Sequence, residues 1–412
     1  MSLIIWLPMD GNLTNNGTLT LPSPSANTIT YTDGKTCNKC GTGQLIYHFT
    51  DDPIPSSSDY SIAMWVSVLS DFPSGNIILY SKNTSEYTNC QSYFSIHDTG
   101  TQLRFFTHNG QEILANYTFS KNTWYHVACT RNGNTIHMYV NGSLIKTQTC
   151  TITSISSLNM CIGCRSGNAS GTNVVGSASM KYNDIRIYDE CISDDEVYRL
   201  SRGLVLHYPM TGGFTDISQV SSYSDNLEYD VSGHNYNGST TDITYVADSS
   251  TYNISSSFNG TSSKITAISP TNMVRSVAFW LYAPKTNSTV AFVDYKSQLG
   301  FGFGSSGPIV VSCVTDYPYV YPNTAISANT WCHIALIRNG DRSSITLYIN
   351  GVIQSASSVT TCWTHETDTL MIGCRSASNP RYMSCKIADF RMYSMQLTQD
   401  DITKLYNFTK NF

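Results

Sequence analysis

One stretch of this 412-residue chain carries aromatic side chains at a spacing suited to ligand contact. Residues 316–323 contain Tyr317, Tyr319 and Tyr321 at every second position. An extended backbone would place all three rings on one face. Exposed aromatic rings beside hydrogen-bonding groups are typical of sugar-binding surfaces. Trp363, in a predicted loop, is a fourth glycan-binding candidate, and a contact between subunits or domains is the alternative explanation for all four residues.

Groups that could catalyse a reaction are scarce. The chain has six glutamates, and it contains neither the Gly-x-Ser-x-Gly turn of serine hydrolases nor a His-Glu-x-x-His zinc motif. His126 and His333 each lie two residues after a tryptophan at a repeated position, which favours a structural role. The sequence therefore predicts a protein that is not an enzyme.

The chain contains 13 cysteines, including the Cys-x-x-Cys pairs Cys37/Cys40 and Cys161/Cys164. The two pairs lie too far apart in sequence for a zinc ribbon. Cys164 has a counterpart in Cys374, and both fit small buried apolar side chains of a strand. For Cys37 and Cys40, zinc ligation, a disulfide and free thiols all remain open.

These groups must be positioned by elements that occur twice in the chain. Residues 122–128, 131–133, 139–142, 162–165 and 184–188 recur as residues 329–335, 338–340, 348–351, 372–375 and 389–393. An offset of about 205 to 210 residues is the size of a domain, whereas solenoid repeats are about 20 to 50 residues long. The pattern predicts a tandem duplication.

Each copy has the pattern of an antiparallel sheet. Ile136, Met138 and Val140 alternate with polar or aromatic residues, which is the period of a strand with one buried face. Asn141-Gly142 follows and suits a type I′ hairpin turn. Each copy also ends in a predicted helix, whose capping box begins at Ser193 in the first and Thr398 in the second.

The repeated motifs Trp-x-His-[Val/Ile]-Ala, Asn-Gly, Ile-Gly and Asp-x-Arg-x-Tyr resemble the laminin G-like modules of the concanavalin A-like superfamily. The resemblance implies an all-β fold of two tandem antiparallel β-sandwich jelly rolls, residues 1–202 and 203–412, each ending in a short helix. This architecture hosts lectins, adhesion modules and glycosidases alike. Residues 366–371 approach the Glu-x-Asp-x-x-Glu strand of retaining glucanases, but Met371 replaces the second carboxylate, so no complete glycosidase pair is present.

The same resemblance implies a calcium site at the rim of the second sandwich, built from hard oxygen ligands. Residues 230–238 look like the Asp-x-Ser-Gly loop of these modules, which makes Asp230 a ligand candidate with Asp389 as its partner. The alternative is that Asp389 pairs with Arg391 or caps a loop. Asp184 is a weaker candidate in the first half, where residues 12–17 provide no matching aspartate.

Four tryptophans recur at equivalent places in the two halves and are predicted to lie in the cores: Trp65, Trp124, Trp280 and Trp331. Duplicated cores must keep their packing residues, while loops are free to diverge. Because the tyrosine run and Asp230 have no evident counterpart in the first half, we expect the second half to carry the ligand or calcium site.

Composition and charge disfavour several classes of partner and location. Charged residues make up 13% of the chain, the net charge is −5 and no basic stripe occurs, which disfavours nucleic acid as a partner. No run is long and apolar enough for a membrane span, and residues 1–8 lack the features of a secretory signal. Eleven Asn-x-Ser/Thr sequons would be heavily modified on a eukaryotic secretory route.

These observations, with a resemblance to modules found in bacteriophage structural proteins, predict a non-enzymatic virion surface protein. It would be a head or tail fibre or decoration component that binds cell-surface or mucosal glycans. Its expected partners are other virion proteins, and a homo-oligomer is a further option. Two alternatives stay open. One is a secreted, extracellular bacterial carbohydrate-binding or glycosidase accessory protein, and the other is a purely structural virion protein.

Overall fold

The computed structural model describes the chain apart from a set of short segments. These are residues 1–2, 10, 34–38, 55–58, 84–89, 108–110, 151–157, 177–178, 213–225, 233–235, 248–253, 270–273, 285–289, 296–298, 304–308, 313–318, 321–325, 339–343, 359–367, 376–379 and 410–412. The described chain divides into two compact units, Met1–Arg202 and Gly203–Phe412.

The first unit is built from strands, with one helix, α1, at Asp194–Leu200. Its strands are Leu3–Leu7 (β1), Pro24–Asn27 (β2), Thr30–Asp33 (β3), Lys39–Thr42 (β4), Leu45–His48 (β5), Tyr60–Val68 (β6), Asn76–Asn83 (β7), Cys90–His97 (β8), Gln102–Thr107 (β9), Glu112–Asn116 (β10), Tyr125–Asn132 (β11), Thr135–Val140 (β12), Ser143–Thr149 (β13), Asn159–Ile162 (β14), Arg165–Ser166 (β15), Val174–Val175 (β16) and Met180–Tyr188 (β17).

Apart from β15 and β16, which pair only with each other, these strands form two antiparallel sheets around one core. One sheet has the order β13-β12-β11-β6-β17-β4-β3, with β1 also paired to β17, and the other has the order β10-β9-β8-β7-β14-β5-β2. Alternate residues of both sheets meet in one apolar cluster that includes Met64, Val127, Phe94 and Phe105. The Asn141-Gly142 turn joins β12 to β13 as predicted, and both residues have positive φ angles.

The second unit repeats this plan, and its helix, α2, spans Gln399–Thr409. Its strands are Leu204–Tyr208 (β18), Leu227–Glu228 (β19), Gly238–Thr241 (β20), Thr244–Ala247 (β21), Ile254–Asn259 (β22), Lys264–Ser269 (β23), Ser276–Tyr282 (β24), Val290–Tyr295 (β25), Leu299–Phe303 (β26), Ile309–Ser312 (β27), Tyr319–Val320 (β28), Trp331–Arg338 (β29), Ser344–Ile349 (β30), Val352–Ser358 (β31), Asp368–Ile372 (β32), Cys374–Arg375 (β33), Arg381–Tyr382 (β34) and Ser384–Tyr393 (β35).

Its two main sheets have the orders β21-β22-β35-β24-β29-β30-β31, with β18 paired to β35, and β19-β20-β23-β32-β25-β26-β27-β28. A second apolar cluster, which includes Phe258, Phe279 and Phe390, fills the space between them. The predicted all-β class, with two antiparallel β-sandwich jelly rolls that each end in a short helix, is confirmed.

Both helices begin at the predicted capping residues. The Ser193 side chain accepts a hydrogen bond from the Glu196 N–H at 3.2 Å. The Thr398 hydroxyl accepts from the Asp401 N–H at 3.2 Å, and the Asp401 carboxylate accepts from the Thr398 N–H at 2.9 Å. These reciprocal bonds satisfy N–H groups that a helix end would otherwise leave unpaired.

The predicted burial of the four repeated tryptophans is right for two of them, but none of the four belongs to the main core cluster of its unit. Trp65 and Trp280 are buried, with 2% and 3% of their surface exposed. Trp124 and Trp331 are only partly buried and belong to neither main core cluster. The correction has a simple cause: Tyr125 and Val127 point into the core, so Trp124, just before β11, does not share their face.

Leaving Cys40 and Cys374 aside, seven cysteines of the described residues carry free thiols, and all of these except Cys191 are buried. Cys37 lies outside the described residues, so its pairing with Cys40 is not described. Neither described helix is long and apolar enough to cross a lipid bilayer.

Candidate functional site

Asp230, the first predicted calcium ligand, has both of its oxygens hydrogen-bonded to backbone groups. Its Oδ1 accepts from the N–H groups of His207 and Ser232, both at 2.9 Å. Its Oδ2 accepts from the Tyr236 N–H at 3.1 Å. Burial raises the pKa of Asp230, although these hydrogen bonds oppose the shift. The carboxylate thus fastens the loop after β19 to strand β18.

A neutral side chain has the same role in the first unit. Asn15 Oδ1 accepts from the N–H groups of Trp6 at 2.7 Å and Gly17 at 3.0 Å. The backbone pairing also matches, because Asn16 N–H donates to Trp6 O and Val231 N–H donates to His207 O, both at 2.9 Å. Sequence reasoning searched for an aspartate here and missed the asparagine. The role therefore does not depend on a negative charge.

Asp389, the second predicted ligand, forms an ion pair with Arg391. The Arg391 Nε and Nη2 atoms lie 2.8 and 2.7 Å from Asp389 Oδ1, and His207 Nε2 lies 2.9 Å from the same oxygen. Burial would raise the pKa of Asp389, but the Arg391 guanidinium and His207 together hold it well below its usual range. Pairing with Arg391 was the alternative left open by the sequence.

Asp184 occupies the equivalent place in the first unit. Its Oδ1 accepts from Trp6 Nε1 at 2.7 Å and from Arg186 Nε at 2.8 Å. Asp184 and Asp389 share a φ angle of 52°, and each lies where the pairing of β17 with β6, or of β35 with β24, shifts register. Aspartate tolerates this left-handed conformation better than most residues. The bulge aims the carboxylate at the arginine two positions later.

These contacts do not fit a calcium centre. In the described part of the chain, no three His, Cys, Asp or Glu side chains are arranged so that they could hold a metal ion. A guanidinium already occupies the space beside Asp389 and Asp184 that a cation would need. Calcium binding at Asp230, Asp389 and Asp184 stays an untested prediction that the observed geometry does not favour.

The tyrosine run is described in part. Tyr319 lies on β28, where its backbone pairs with Ser312 of β27. Strand β28 is the edge of its sheet, next to β27, as β10 is the edge next to β9 in the first unit. Tyr317, Tyr321 and Trp363 lie outside the described residues, and the Tyr319 side chain is not described.

The corresponding sheet edge of the first unit carries a set of aromatic and polar side chains. Along β8, β9 and β10, Phe94, Phe105 and Ile113 point into the core. Tyr93, Phe106 and Glu112 alternate with them and therefore lie on the opposite, outward side of the sheet. We call this outward side the β7–β10 face.

Two stacked rings and an arginine form the middle of the β7–β10 face. The Tyr93 and Phe106 rings are 4.7 Å apart with 15° between their planes. The Arg104 guanidinium carbon lies 5.2 Å from each ring centroid, which is cation–π distance. Tyr93 and Arg104 are buried, whereas Phe106 is half-buried and keeps part of its ring in contact with solvent.

Polar groups hold the arginine in place. Arg104 Nη2 donates to Glu112 Oε1 at 2.6 Å, and Arg104 Nη1 donates to Asn76 Oδ1 at 3.1 Å. The Ser95 hydroxyl donates to the same Asn76 oxygen at 3.1 Å. The face thus combines a partly exposed ring with amide and carboxylate groups. No candidate from the sequence lay here, although an arginine between core residues Leu103 and Phe105 marks an outward position.

Glu228 is a further group that sequence reasoning missed. Burial raises the pKa of Glu228 to about 7, against hydrogen bonds from the Tyr245 hydroxyl and the N–H groups of Gly212 and Met210. Such a pKa would suit a general acid. However, the side chain is fully buried and saturated by these donors, so it cannot meet a substrate and fastens residues 210–212 instead.

His126 and His333 are also buried groups. Their rings lie edge-on to Trp65 at 5.5 Å and to Trp280 at 5.3 Å. Burial lowers the pKa of His126 to about 3 and that of His333 to about 4, so both are neutral at physiological pH. Glu366, from the incomplete glucanase motif, lies outside the described residues.

Comparison with known protein families identifies the superfamily to which the fold corresponds. The family model described as the concanavalin A-like lectin/glucanases superfamily matches residues 41–198 and 258–403. No curated protein sequence matches the chain.

Solved structures with a similar chain trace include one enzyme domain and two toxin binding domains. Domain 4 of AbnA, an extracellular arabinanase from Geobacillus stearothermophilus, solved with arabinotriose, is 17% identical and covers 48% of this chain and 98% of its own, with a TM-score of 0.37. The binding domain of Paraclostridial Mosquitocidal Protein 1 is 13% identical over 100% of this chain and 96% of its own, with a TM-score of 0.39. The binding domain of botulinum neurotoxin serotype D is 10% identical over 97% of both chains, also with a TM-score of 0.39. These similarities are too distant to transfer a ligand or a site.

Proposed function

The chain belongs to the concanavalin A-like lectin/glucanases superfamily, and from that premise we propose that it is a non-enzymatic protein that binds glycans. The superfamily fold serves both lectins and enzymes, so the choice between them rests on the site rather than on the fold. The observation that carries the proposal is the β7–β10 face, where the Phe106 ring stacks on Tyr93 beside the Arg104–Glu112 pair.

The chemistry of this face suits a sugar. A pyranose ring offers an apolar C–H surface that packs on an aromatic ring and hydroxyl groups that need hydrogen-bond partners. Phe106 supplies the ring, and Glu112 and Asn116 supply exposed oxygen and amide groups. Sheet side chains present these groups, so their positions are fixed by the ladder of β9 and β10.

We propose no glycosidase activity for the β7–β10 face, on chemical grounds. A glycosidase needs two carboxyl groups about 5 to 10 Å apart across the scissile bond. On the β7–β10 face, Glu112 is bound to Arg104, and the buried Glu228 belongs to the other unit. A reducing-sugar assay on any oligosaccharide that binds is expected to show no release of product.

For the second unit, the tyrosine run remains part of the proposal. Tyr319 stands on an edge strand that corresponds to β10 by strand order, so a contact surface at the same sheet edge is consistent with its backbone position. We propose Tyr317, Tyr321 and Trp363 as further glycan contacts of that unit.

We further propose that the protein works on the surface of a bacteriophage virion and attaches it to bacterial or mucosal glycans. The low charge, the abundance of Ser, Thr and Asn and the eleven Asn-x-Ser/Thr sequons support this location. Mass spectrometry of purified particles tests it: the protein should be a stoichiometric component, and its absence from particles would favour a secreted carbohydrate-binding protein.

A glycan array with the purified full-length protein tests the central proposal. Wild-type protein should bind a limited set of glycans. The Phe106→Ala variant should lose about fivefold or more of its affinity for them, if a sugar gains from the ring what a stacked nucleic-acid base does, about 1 to 3 kcal/mol.

Tyr198→Ala is the matched control. Tyr198 is a half-buried aromatic residue of α1 with the Arg202 guanidinium 4.7 Å from its ring, so it repeats the ring–arginine contact away from the β7–β10 face. This variant should bind as wild type does. Equal binding by Phe106→Ala and wild type, with both folded by circular dichroism, would remove the β7–β10 face from the proposal.

A further inference from the structure

The ion pair of the β7–β10 face is unequally exposed. The side chain of Arg104 has 9% of its surface exposed, whereas that of Glu112 has 41%. The positive group therefore lies beneath the surface, held by Asn76 and by the Tyr93 and Phe106 rings. The group that a ligand meets is the carboxylate.

The exposed Glu112 carboxylate should favour some chemical classes of saccharide over others. Ionised carboxylates only accept hydrogen bonds, so Glu112 suits hydroxyl groups, which can donate. A carboxylate on the ligand would face a like charge, which disfavours sialic or uronic acids. Arg104 offsets the charge of Glu112 from below, so the pair does not require a cationic ligand.

Register brings this carboxylate beside the aromatic ring. Glu112 pairs directly with Phe106 across β10 and β9. Directly opposite residues in an antiparallel pair have Cβ atoms about 4.5 to 5.5 Å apart on the same face. A sugar ring packed on Phe106 therefore has its hydroxyl groups at the level of Glu112.

We infer that the β7–β10 face binds neutral saccharides, with Glu112 accepting hydrogen bonds from sugar hydroxyl groups and Arg104 acting as the positioning residue that holds Glu112. The inference rests on the proposed function and adds the class of ligand. Leu114, which pairs with Arg104 across the same two strands and is half-buried, continues the floor of the site beyond Phe106.

The test measures affinities of the full-length protein for neutral and acidic probes by calorimetric titration. The neutral probes are lactose, maltotetraose and cellotetraose together with any neutral glycan found on the array, and the acidic probe is sialyllactose. Glu112→Gln keeps the shape of the side chain but removes its charge. It should weaken neutral binding about tenfold, since hydrogen bonds to charged groups are roughly twice as strong as neutral ones.

Two further variants separate positioning from folding. Arg104→Lys keeps the positive charge but lacks the fork that bonds Glu112 and Asn76 together, so it should weaken neutral binding while the protein stays folded. Both Glu112→Gln and Arg104→Lys should also lower the ratio of neutral to acidic affinity, which a purely structural effect would not change. Asp71→Asn is the control, because Asp71 pairs with Lys121 at an exposed position on a loop outside the face.

The outcomes are distinct. Preference of the wild-type protein for sialyllactose would overturn the inference, as would unchanged neutral affinity in Glu112→Gln when Phe106→Ala has lost it. In both cases the protein would still bind glycans, so the proposed function would survive. Absence of binding to every saccharide, neutral or acidic, would overturn the proposed function as well.

Discussion

At the residue scale, the two units carry different residues at two equivalent positions. Asn15 and Asp230 each accept a backbone hydrogen bond from the first strand of their unit. Trp6 donates to Asp184 and His207 donates to Asp389, the equivalent aspartates of the two Asp-x-Arg pairs. The two copies differ in charge and ring type, but both keep an oxygen that accepts from the first strand and from the residue two positions later. What the site requires is hydrogen bonding, because the groups are buried and unpaired polar atoms are costly there.

Asp230→Asn should therefore cost less stability than Asp230→Ala, because an amide oxygen still accepts from the N–H groups of His207 and Ser232 and only the Tyr236 hydrogen bond is lost. The alanine variant leaves three backbone N–H groups without an acceptor, at about 1 to 3 kcal/mol for each group that water cannot reach. Urea unfolding of both variants measures the difference. A calcium-dependent rise in melting temperature that Asp230→Asn abolishes would instead establish the calcium site predicted from the sequence.

His333 should make the second unit lose stability as the pH falls. Its pKa is about 4 in the folded protein, mainly because of burial, and about 6.5 in an unfolded chain. Between these values the unfolded state binds one more proton, so the free energy of unfolding should fall by about 1.4 kcal/mol per pH unit from this residue. Above about pH 6.5 the contribution is absent.

His333→Gln is expected to flatten the pH dependence of unfolding in that window, whatever its effect on stability at pH 7. Urea titrations at pH 5, 6 and 7 provide the slopes. Identical slopes for variant and wild type would show that His333 takes up its proton in the folded state as readily as in the unfolded one.

At the element scale, the repeated strands could be predicted from the sequence, whereas the β7–β10 face could not. Alternation in residues 136–140, the Asn-Gly turns and the capping boxes at Ser193 and Thr398 each depend on local chemistry, and each is present. The β7–β10 face depends on which strands are neighbours. Phe106 and Glu112 meet only because β9 pairs with β10 in one register, and no local pattern states that register.

Strand packing also changes the expected cost of removing a tryptophan. Trp65→Ala should destabilise the first unit by about 3 to 5 kcal/mol, since the ring is buried and a cavity would remain. Trp124→Ala should cost clearly less, because solvent already reaches part of that ring. Urea unfolding measures the loss in the free energy of unfolding for each variant. Equal losses would show that the Trp124 ring is as buried as that of Trp65.

At the scale of the whole molecule, two units share one plan but present different groups at the corresponding sheet edge. The first has Glu112 on its edge strand, and the second has Tyr319. The sequence suggested that only the second unit had kept a ligand site. The first unit now has the better-defined candidate, because its face side chains are described and their contacts form one connected set.

The most direct test of this account is a crystal structure of the full-length protein with a neutral oligosaccharide that it binds in solution. The account predicts a sugar ring packed on Phe106, with at least one hydroxyl group within hydrogen-bond distance of a Glu112 carboxylate oxygen and with Arg104 unmoved beneath it. A saccharide bound elsewhere in the first unit, with the β7–β10 face covered or empty, would contradict it.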